Sequence, residues 1–228
     1  MVTYELSDGI ATITLDDGKR NALGLEAFAE LNAALERARA DGAAVLLTGR
    51  AGTFSAGFDL RELGSGGANA ARLVQVGFET AARLFAFPAP VIVACTGHAV
   101  AMGLFLTLTG DHRLGAAGAF KIGASEVAIG MVVPSFAVEL CRHRIPVSHF
   151  YRAVTLSEMF TPEAAVPAGI LDGVVAPGEL AGAARAVARQ AAGFNRSVFA
   201  QTKLRARGPA IEALRVGLEA DARQAFAL

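Results

Sequence analysis

Phe54-Ser55-Ala56-Gly57-Phe58-Asp59-Leu60 and, further along the chain, Gly97-His98-Ala99-Val100-Ala101-Met102-Gly103 decide how this sequence is read. Each is a small-residue turn between an apolar strand and the start of a helix, where backbone N–H groups lack intrahelical acceptors and can bind a ligand oxygen. Two such turns can supply two donors to one developing oxyanion.

Around these turns the chain alternates strand and helix. Tyr4–Leu6 and Ile10–Leu15 flank Ser7-Asp8-Gly9 and read as a hairpin, because β-branched alternation surrounds an Asp-Gly turn. Leu25, Phe28, Leu31, Leu35 and Ala38 recur at three- and four-residue steps, which predicts an amphipathic helix from Leu25 to Arg39. Ala43–Thr48 and Val91–Cys95 read as buried strands. A helix is expected near Ala71–Ala86 after a glycine-rich loop at Gly64–Gly67, and another through Leu108. Asp111–Gly115 and Ala119–Ile122 read as further short strands. Such alternation marks an α/β fold with crossover connections. Residues 1–175 are expected to form the core. Residues 176–228 form an Ala- and Arg-rich helical region, with breaks near Gly193-Phe194-Asn195 and Gly208-Pro209, that packs on the body or on a neighbouring subunit.

Composition narrows the function classes. The 228 residues carry 21 Lys+Arg against 21 Asp+Glu, so no global field steers the chain to nucleic acid or to an anionic membrane. Hydrophobic residues make up 53% and charged ones 18%, a balance that favours an oligomer over a monomer. The two cysteines, Cys95 and Cys141, imply no disulfide framework, and the N-terminus lacks signal-peptide features; both point to the cytoplasm. Val91–Gly110 is uncharged, but Pro88, Pro90 and the Thr, Gly and His positions favour a strand, a turn and a buried helix over a membrane span.

The two turns, with Ile122-Gly123-Ala124-Ser125-Glu126-Val127-Ala128-Ile129-Gly130 behind them, resemble the enoyl-CoA hydratase/isomerase (crotonase) family. The likeness runs from Tyr4 to about Val175 and takes in Lys19-Arg20-Asn21-Ala22-Leu23. It implies a spiral of repeated ββα units, a C-terminal helical region serving assembly into a homotrimer or a dimer of trimers, and an acyl-CoA thioester as substrate. The resemblance assigns the oxyanion donors to the N–H groups of Ala56 and Gly103. It places coenzyme A along Arg20, Ala22, Gly57, Phe58, Asp59 and Leu60, with Ser125 beside the thioester, and Lys203 of a neighbouring subunit near a CoA phosphate. No metal or redox cofactor is implied; coenzyme A enters only as part of the substrate.

Glu126 falls on one of two positions where hydratases of the family keep a glutamate, and Phe105 occupies the other. Adding water to a 2-enoyl thioester ordinarily uses two carboxylates in different roles. Moving a double bond from C3 to C2 needs one base, which takes a proton from C2 and returns it at C4. The single glutamate therefore resembles the Δ3,Δ2-enoyl-CoA isomerases, with Glu126 as a shuttling base and the Phe105 ring excluding water. A hydratase or another acyl-CoA reaction using Glu126 alone, and a non-catalytic acyl-CoA-binding scaffold, stay open. Ala101-Met102-Gly103 stands where many relatives have three glycines, so Met102 is expected to reshape the acyl pocket.

Several other features carry plainer readings. Gly64-Ser65-Gly66-Gly67 is not followed by Gly-Lys-Ser/Thr and reads as a loop over the acyl pocket, not a phosphate loop. Cys141, His143 and His149 fit no common zinc spacing. Asp111 reads as a backbone-bonded carboxylate. Arg205 and Arg207, without interleaved aromatics, do not make an RNA-binding tail.

Overall fold

The N-terminal hairpin sets one edge of the main sheet. β1 (Val2–Ser7) and β2 (Ile10–Leu15) pair antiparallel through Asp8 and Gly9, whose φ values of 55° and 72° give the twist a two-residue hairpin loop requires. The computed structural model describes residues 1–223. After the hairpin come β3 (Ala22–Leu23), α1 (Leu25–Asp41), β4 (Ala44–Gly49), β5 (Gly52–Ser55), β6 (Gly57–Phe58), α2 (Leu60–Leu63), α3 (Gly67–Phe85), β7 (Val91–Cys95), β8 (Gly97–Val100) and α4 (Met102–Leu108). The second half holds β9 (His112–Ala116), β10 (Ile122–Gly123), a 3-10 turn at Val127–Ile129, α5 (Ser135–Arg144), α6 (Val147–Thr155), α7 (Pro162–Ala165), β11 (Gly173–Val175), α8 (Leu180–Ala192) and α9 (Arg196–Arg223).

The main sheet runs β1-β2-β4-β7-β9-β11 and is parallel from β2 onward. Both its faces are covered, which is why β4 and β7 are nearly continuous apolar runs instead of alternating ones. Val45, Leu47, Val91 and Val93 face the main core with Phe28, Leu31 and Leu35 of α1; Leu46, Ile92 and Ala94 face the other way, onto Leu180, Ala184 and Ala188 of α8. A second, smaller parallel sheet, β10-β8-β5, brings the strands after β4, β7 and β9 together. β3 pairs with β6 in a third. The two small sheets carry the site.

The tail is part of the same packed body. α8 covers the sheet, and α9 lies on α3 and α5. Near its end, the Asp221 carboxylate accepts the N–H groups of Ser135 and Phe136 at 2.8 and 2.9 Å, capping the start of α5 with a negative charge where the helix dipole favours it. The expected break at Gly208-Pro209 is absent: α9 runs through Pro209. Proline removes one helical hydrogen bond, but the helix is pinned on both sides, by buried Lys203 and Arg207 before it and by Leu214 and Asp221 after it. Nor do Ala119–Lys121 form a strand; β10 starts at Ile122. The Lys121 N–H bonds to Nδ1 of His98 at 3.0 Å, and the Phe120 ring packs edge-on against the same imidazole. Among the described residues no helix is long and apolar enough to cross a membrane.

Candidate active site

The first turn is built on Asn21. This residue is fully buried at φ 53°, a left-handed conformation that Asn tolerates better than most side chains. Its Nδ2 donates to the carbonyls of Leu15 (2.8 Å), Thr53 (3.2 Å) and Phe54 (3.1 Å), and its Oδ1 accepts the Asp17 N–H. Ser55, also fully buried, donates its hydroxyl to the Asn21 carbonyl at 2.7 Å and accepts the Gly57 N–H at 3.1 Å. The Ala56 N–H donates to the Arg20 carbonyl at 3.0 Å. Ala56 is thus committed within the fold and does not offer the free donor expected of it. The Asp59 N–H bonds the Leu23 carbonyl at 3.0 Å, so strand alternation turns the N–H of Phe58 away from β3.

The second turn meets the first through the β5–β8 pairing, Thr53 opposite His98 and Ser55 opposite Ala99. Ala101 sits at φ 52°, ψ −118°, a conformation natural to glycine, and starts α4. The first helical N–H groups, from Met102 onward, precede the first α4 bond, which Phe105 N–H makes to the Ala101 carbonyl. The Met102 nitrogen stands 3.3 Å from where a side chain on Gly57 would begin. Gly103 instead faces the carbonyl of Ser55, which a Cβ there would overlap. Its missing side chain is a condition for the two turns to touch.

Glu126 enters from β10. The Gly123 carbonyl accepts the Ala101 N–H at 2.9 Å, tying this strand to the start of α4. Three residues on, Glu126 opens the 3-10 turn that Gly130 closes at φ 81°, and its own carbonyl accepts the N–H groups of Ile129 and Met131. Its side chain is 7% exposed, and Oε2 is buried without a hydrogen-bond partner. Burial pushes its pKa up to about 7, only partly offset by its own backbone N–H. It faces a narrow cavity of about 40 Å³, open to solvent, walled by Phe58, Leu63, Val74, Phe78, Met131 and Pro134. Among the described residues of that lining, Glu126 is the only ionisable group. A carboxylate so placed can exchange a proton with an apolar ligand.

The other expected residues are distributed as follows. Gly57 is buried at φ 94° against the start of α4, and Phe58 contributes its ring to the cavity wall. Arg20 has an exposed side chain and Ala22 is half-buried in β3. Asp59 caps α2 by accepting the Arg61 N–H at 2.8 Å, and Leu60 is 71% exposed. Ser125, half-buried, gives its carbonyl to Ile129. Phe105 does not line the cavity: its ring packs 6.0 Å from that of Phe78, which does. The ring beside the carboxylate is thus not the one expected. Met102 likewise has its side chain fully buried in the main core, outside the cavity wall. Leu63 and Ala70, on either side of Gly64–Gly67, do line the cavity. Lys203 lies in the interior, 2.7 Å from Asp111, with 4% of its side chain exposed, and does not line this cavity. Sequence reading missed Asn21 and Ser55 as the supports of the first turn, and α3 as the source of the pocket wall.

Comparison with known proteins places the chain in a family. The profile of the enoyl-CoA hydratase/isomerase family matches residues 5–226. A probable enoyl-CoA hydratase of Mycobacterium avium is 33% identical over 185 residues, covering 80% of this chain and 72% of that protein. Among solved structures, an enoyl-CoA hydratase/isomerase family protein from Pseudomonas syringae superposes with a TM-score of 0.96 at 45% identity, over 98% of this chain and 97% of that one. An enoyl-CoA isomerase of Mycobacterium tuberculosis gives 0.93 at 43%, covering 98% of each chain. The likeness runs along nearly the whole chain, and the protein belongs to the enoyl-CoA hydratase/isomerase family.

Proposed function

We propose that this protein isomerises a 3-enoyl-CoA to the 2-enoyl-CoA, with Glu126 as the only proton carrier. The observation that carries the reading is the solitude of that carboxylate in an otherwise apolar wall. The ionised Glu126 takes a proton from C2, leaving a dienolate whose negative charge rests on the thioester oxygen. The same carboxyl returns the proton at C4 as the double bond settles between C2 and C3. A pKa of about 7 matches both halves of this shuttle, since the group must give up as readily as it takes. Adding water instead calls for a second group to position it, and the described wall offers Phe58, Phe78 and Val74 there.

The oxyanion donors in this reading are the N–H groups of Phe58 and Met102. Phe58 is turned away from β3, and Met102, at the positive end of α4, lies against Gly57. Similar proteins include a mycobacterial enoyl-CoA isomerase and probable enoyl-CoA hydratases alike, so the preference for isomerisation rests on the cavity wall. The reaction requires no metal or redox cofactor, and the substrate is a soluble thioester of the cytoplasm. Assembly into a homotrimer or a dimer of trimers is supported by apolar side chains left in solvent, with Val132 87%, Val147 79% and Leu156 73% exposed.

The test is incubation of the protein and its Glu126→Gln variant with a 3-enoyl-CoA and a 2-enoyl-CoA in heavy water, following conjugation, hydration and deuterium uptake. Glu126-dependent conjugation without a 3-hydroxyacyl product is expected. Hydration of the 2-enoyl-CoA, or turnover surviving in Glu126→Gln, would overturn it.

A further inference from the structure

Ser55 is polar and fully buried, and it joins three parts of the site. Its hydroxyl donates to the Asn21 carbonyl and accepts the Gly57 N–H, closing a ring of hydrogen bonds around the first turn. Asn21 in turn grips the preceding strand at Thr53 and Phe54. The backbone carbonyl of Ser55 then packs on Gly103, in the first turn of α4. Both proposed donors are therefore one residue from a residue that Ser55 touches: Phe58 follows Gly57, and Met102 precedes Gly103.

Ser55 Oγ is the side-chain acceptor of the Gly57 N–H, and it adds to the pairing of Gly57 with Ala22 of β3 and to the packing of the Ala101 methyl on the β8 side, at a residue whose φ of 94° is open to glycine. An oxyanion hole works by donors fixed before the charge develops, so a shift of a fraction of an ångström at Gly57 is a shift in catalysis. We propose that Ser55 is a positioning residue that sets the relative placement of the Phe58 and Met102 N–H groups and thereby the polarisation of the bound thioester carbonyl. The proposal rests on the reading of those two groups as the oxyanion donors.

The experiment compares Ser55→Ala with the isosteric pair Ser55→Thr and Ser55→Val, which add the same bulk and differ in the hydroxyl. Three quantities are read: kcat and KM for a 3-enoyl-CoA, affinity for a saturated acyl-CoA, and the stretching frequency of a 13C-labelled thioester carbonyl in the bound 2-enoyl-CoA. Loss of the hydroxyl is expected to lower kcat about tenfold to a hundredfold, short of the hundredfold to thousandfold that follows deletion of a donor. Affinity for the saturated acyl-CoA stays within about threefold, because that ligand develops no oxyanion. The red shift of the carbonyl band on binding shrinks in Ser55→Ala and Ser55→Val and is kept in Ser55→Thr, while the pH inflection of kcat/KM, which belongs to Glu126, does not move. Equal kcat and equal carbonyl shift in Ser55→Thr and Ser55→Val would overturn the proposal. The band is read on bound ligand without turnover, so a wild-type protein that binds acyl-CoA but does not isomerise it would sink the isomerase reading and still decide the role of Ser55.

Discussion

Lys203 and Asp111, 92 residues apart, meet at 2.7 Å inside the protein, where the long C-terminal helix crosses the end of the catalytic core. Arg207, one helical turn further on, reaches the other oxygen of the same carboxylate at 2.8 Å and donates to the carbonyls of Phe85, Thr109 and Gly110. Asp111 also accepts the Val91 N–H, at the start of a central strand. One carboxylate thus fastens α9 to the sheet.

Removing that carboxylate strands two interior cations. Breaking a buried ion pair by deleting one partner costs about 3–5 kcal/mol, mostly through the charge left behind. Asp111→Asn is therefore expected to lower unfolding stability by about that amount in urea denaturation and to open α9 to protease before the sheet. Lys203→Met leaves Asp111 with Arg207 and Val91 and is expected to cost about 1 kcal/mol or less. Its affinity for CoA should equal that of the wild type; a clear loss would place Lys203 back at the ligand.

The raised pKa of Glu126 links activity to stability. As a base it must be ionised, so kcat/KM is expected to rise with pH through about 7 and then level off. Stability moves the opposite way. Between the unfolded value of 4.5 and about 7 the native state holds a proton that the unfolded chain has released, so stability falls across that window. Above it the buried charge carries its full penalty, about 3 kcal/mol at about 1.4 kcal/mol per tenfold change in proton affinity. Glu126→Gln should then be inactive, more heat-stable than the wild type at pH 8, and indistinguishable from it at pH 4. Equal melting temperatures at pH 8 would mean that the carboxylate is better solvated than its surroundings indicate.

Gly103 offers a steric test of the contact between the turns. A methyl group at position 103 would overlap the Ser55 carbonyl, and backbone on both sides leaves it no room. Gly103→Ala is expected to push α4 from β5 and to lower kcat by about a hundredfold or more, on the scale of losing one oxyanion donor. Turnover within a few-fold of the wild type would show that the two turns need not touch.

Much of this architecture is legible in the residues themselves. The Asp8-Gly9 hairpin, the apolar stripe of α1 and the buried runs of β4 and β7 are local patterns that the fold keeps. Pro134 and Pro146, each directly before a helix, signal α5 and α6, which periodicity alone left unread. The N–H groups proposed as oxyanion donors, Phe58 and Met102, are not legible to the residue, and the reason is physical. A glycine marks where a side chain is excluded, as at Gly103 against Ser55, and not where an N–H is free. Which N–H is free at Phe58 depends on the parity of β6 relative to β3, and the cavity wall comes from α3; both arise only when distant segments pack. Pro209 misled for a similar reason, since the anchors at Arg207 and Leu214 outweigh one missing hydrogen bond.

Ala101 holds strain that can be released. At φ 52°, ψ −118° its methyl group occupies a conformation that glycine reaches freely and other residues reach at a cost of about 1–3 kcal/mol. Substituting glycine relieves that strain but adds freedom to the unfolded chain, an opposing effect of about 0.4–1 kcal/mol. Strain is the larger, so Ala101→Gly is expected to stabilise the protein by about 1 kcal/mol, read as a rise in melting temperature. The methyl group also stands 3.0 Å from where a side chain on Gly57 would begin, so it buttresses the first turn. If that buttress positions the donors, the stabilised variant should turn over more slowly than the wild type with its affinity for a saturated acyl-CoA unchanged. A variant that is both more stable and equally fast would assign the placement of the turn to Ser55 and Asn21 without help from Ala101.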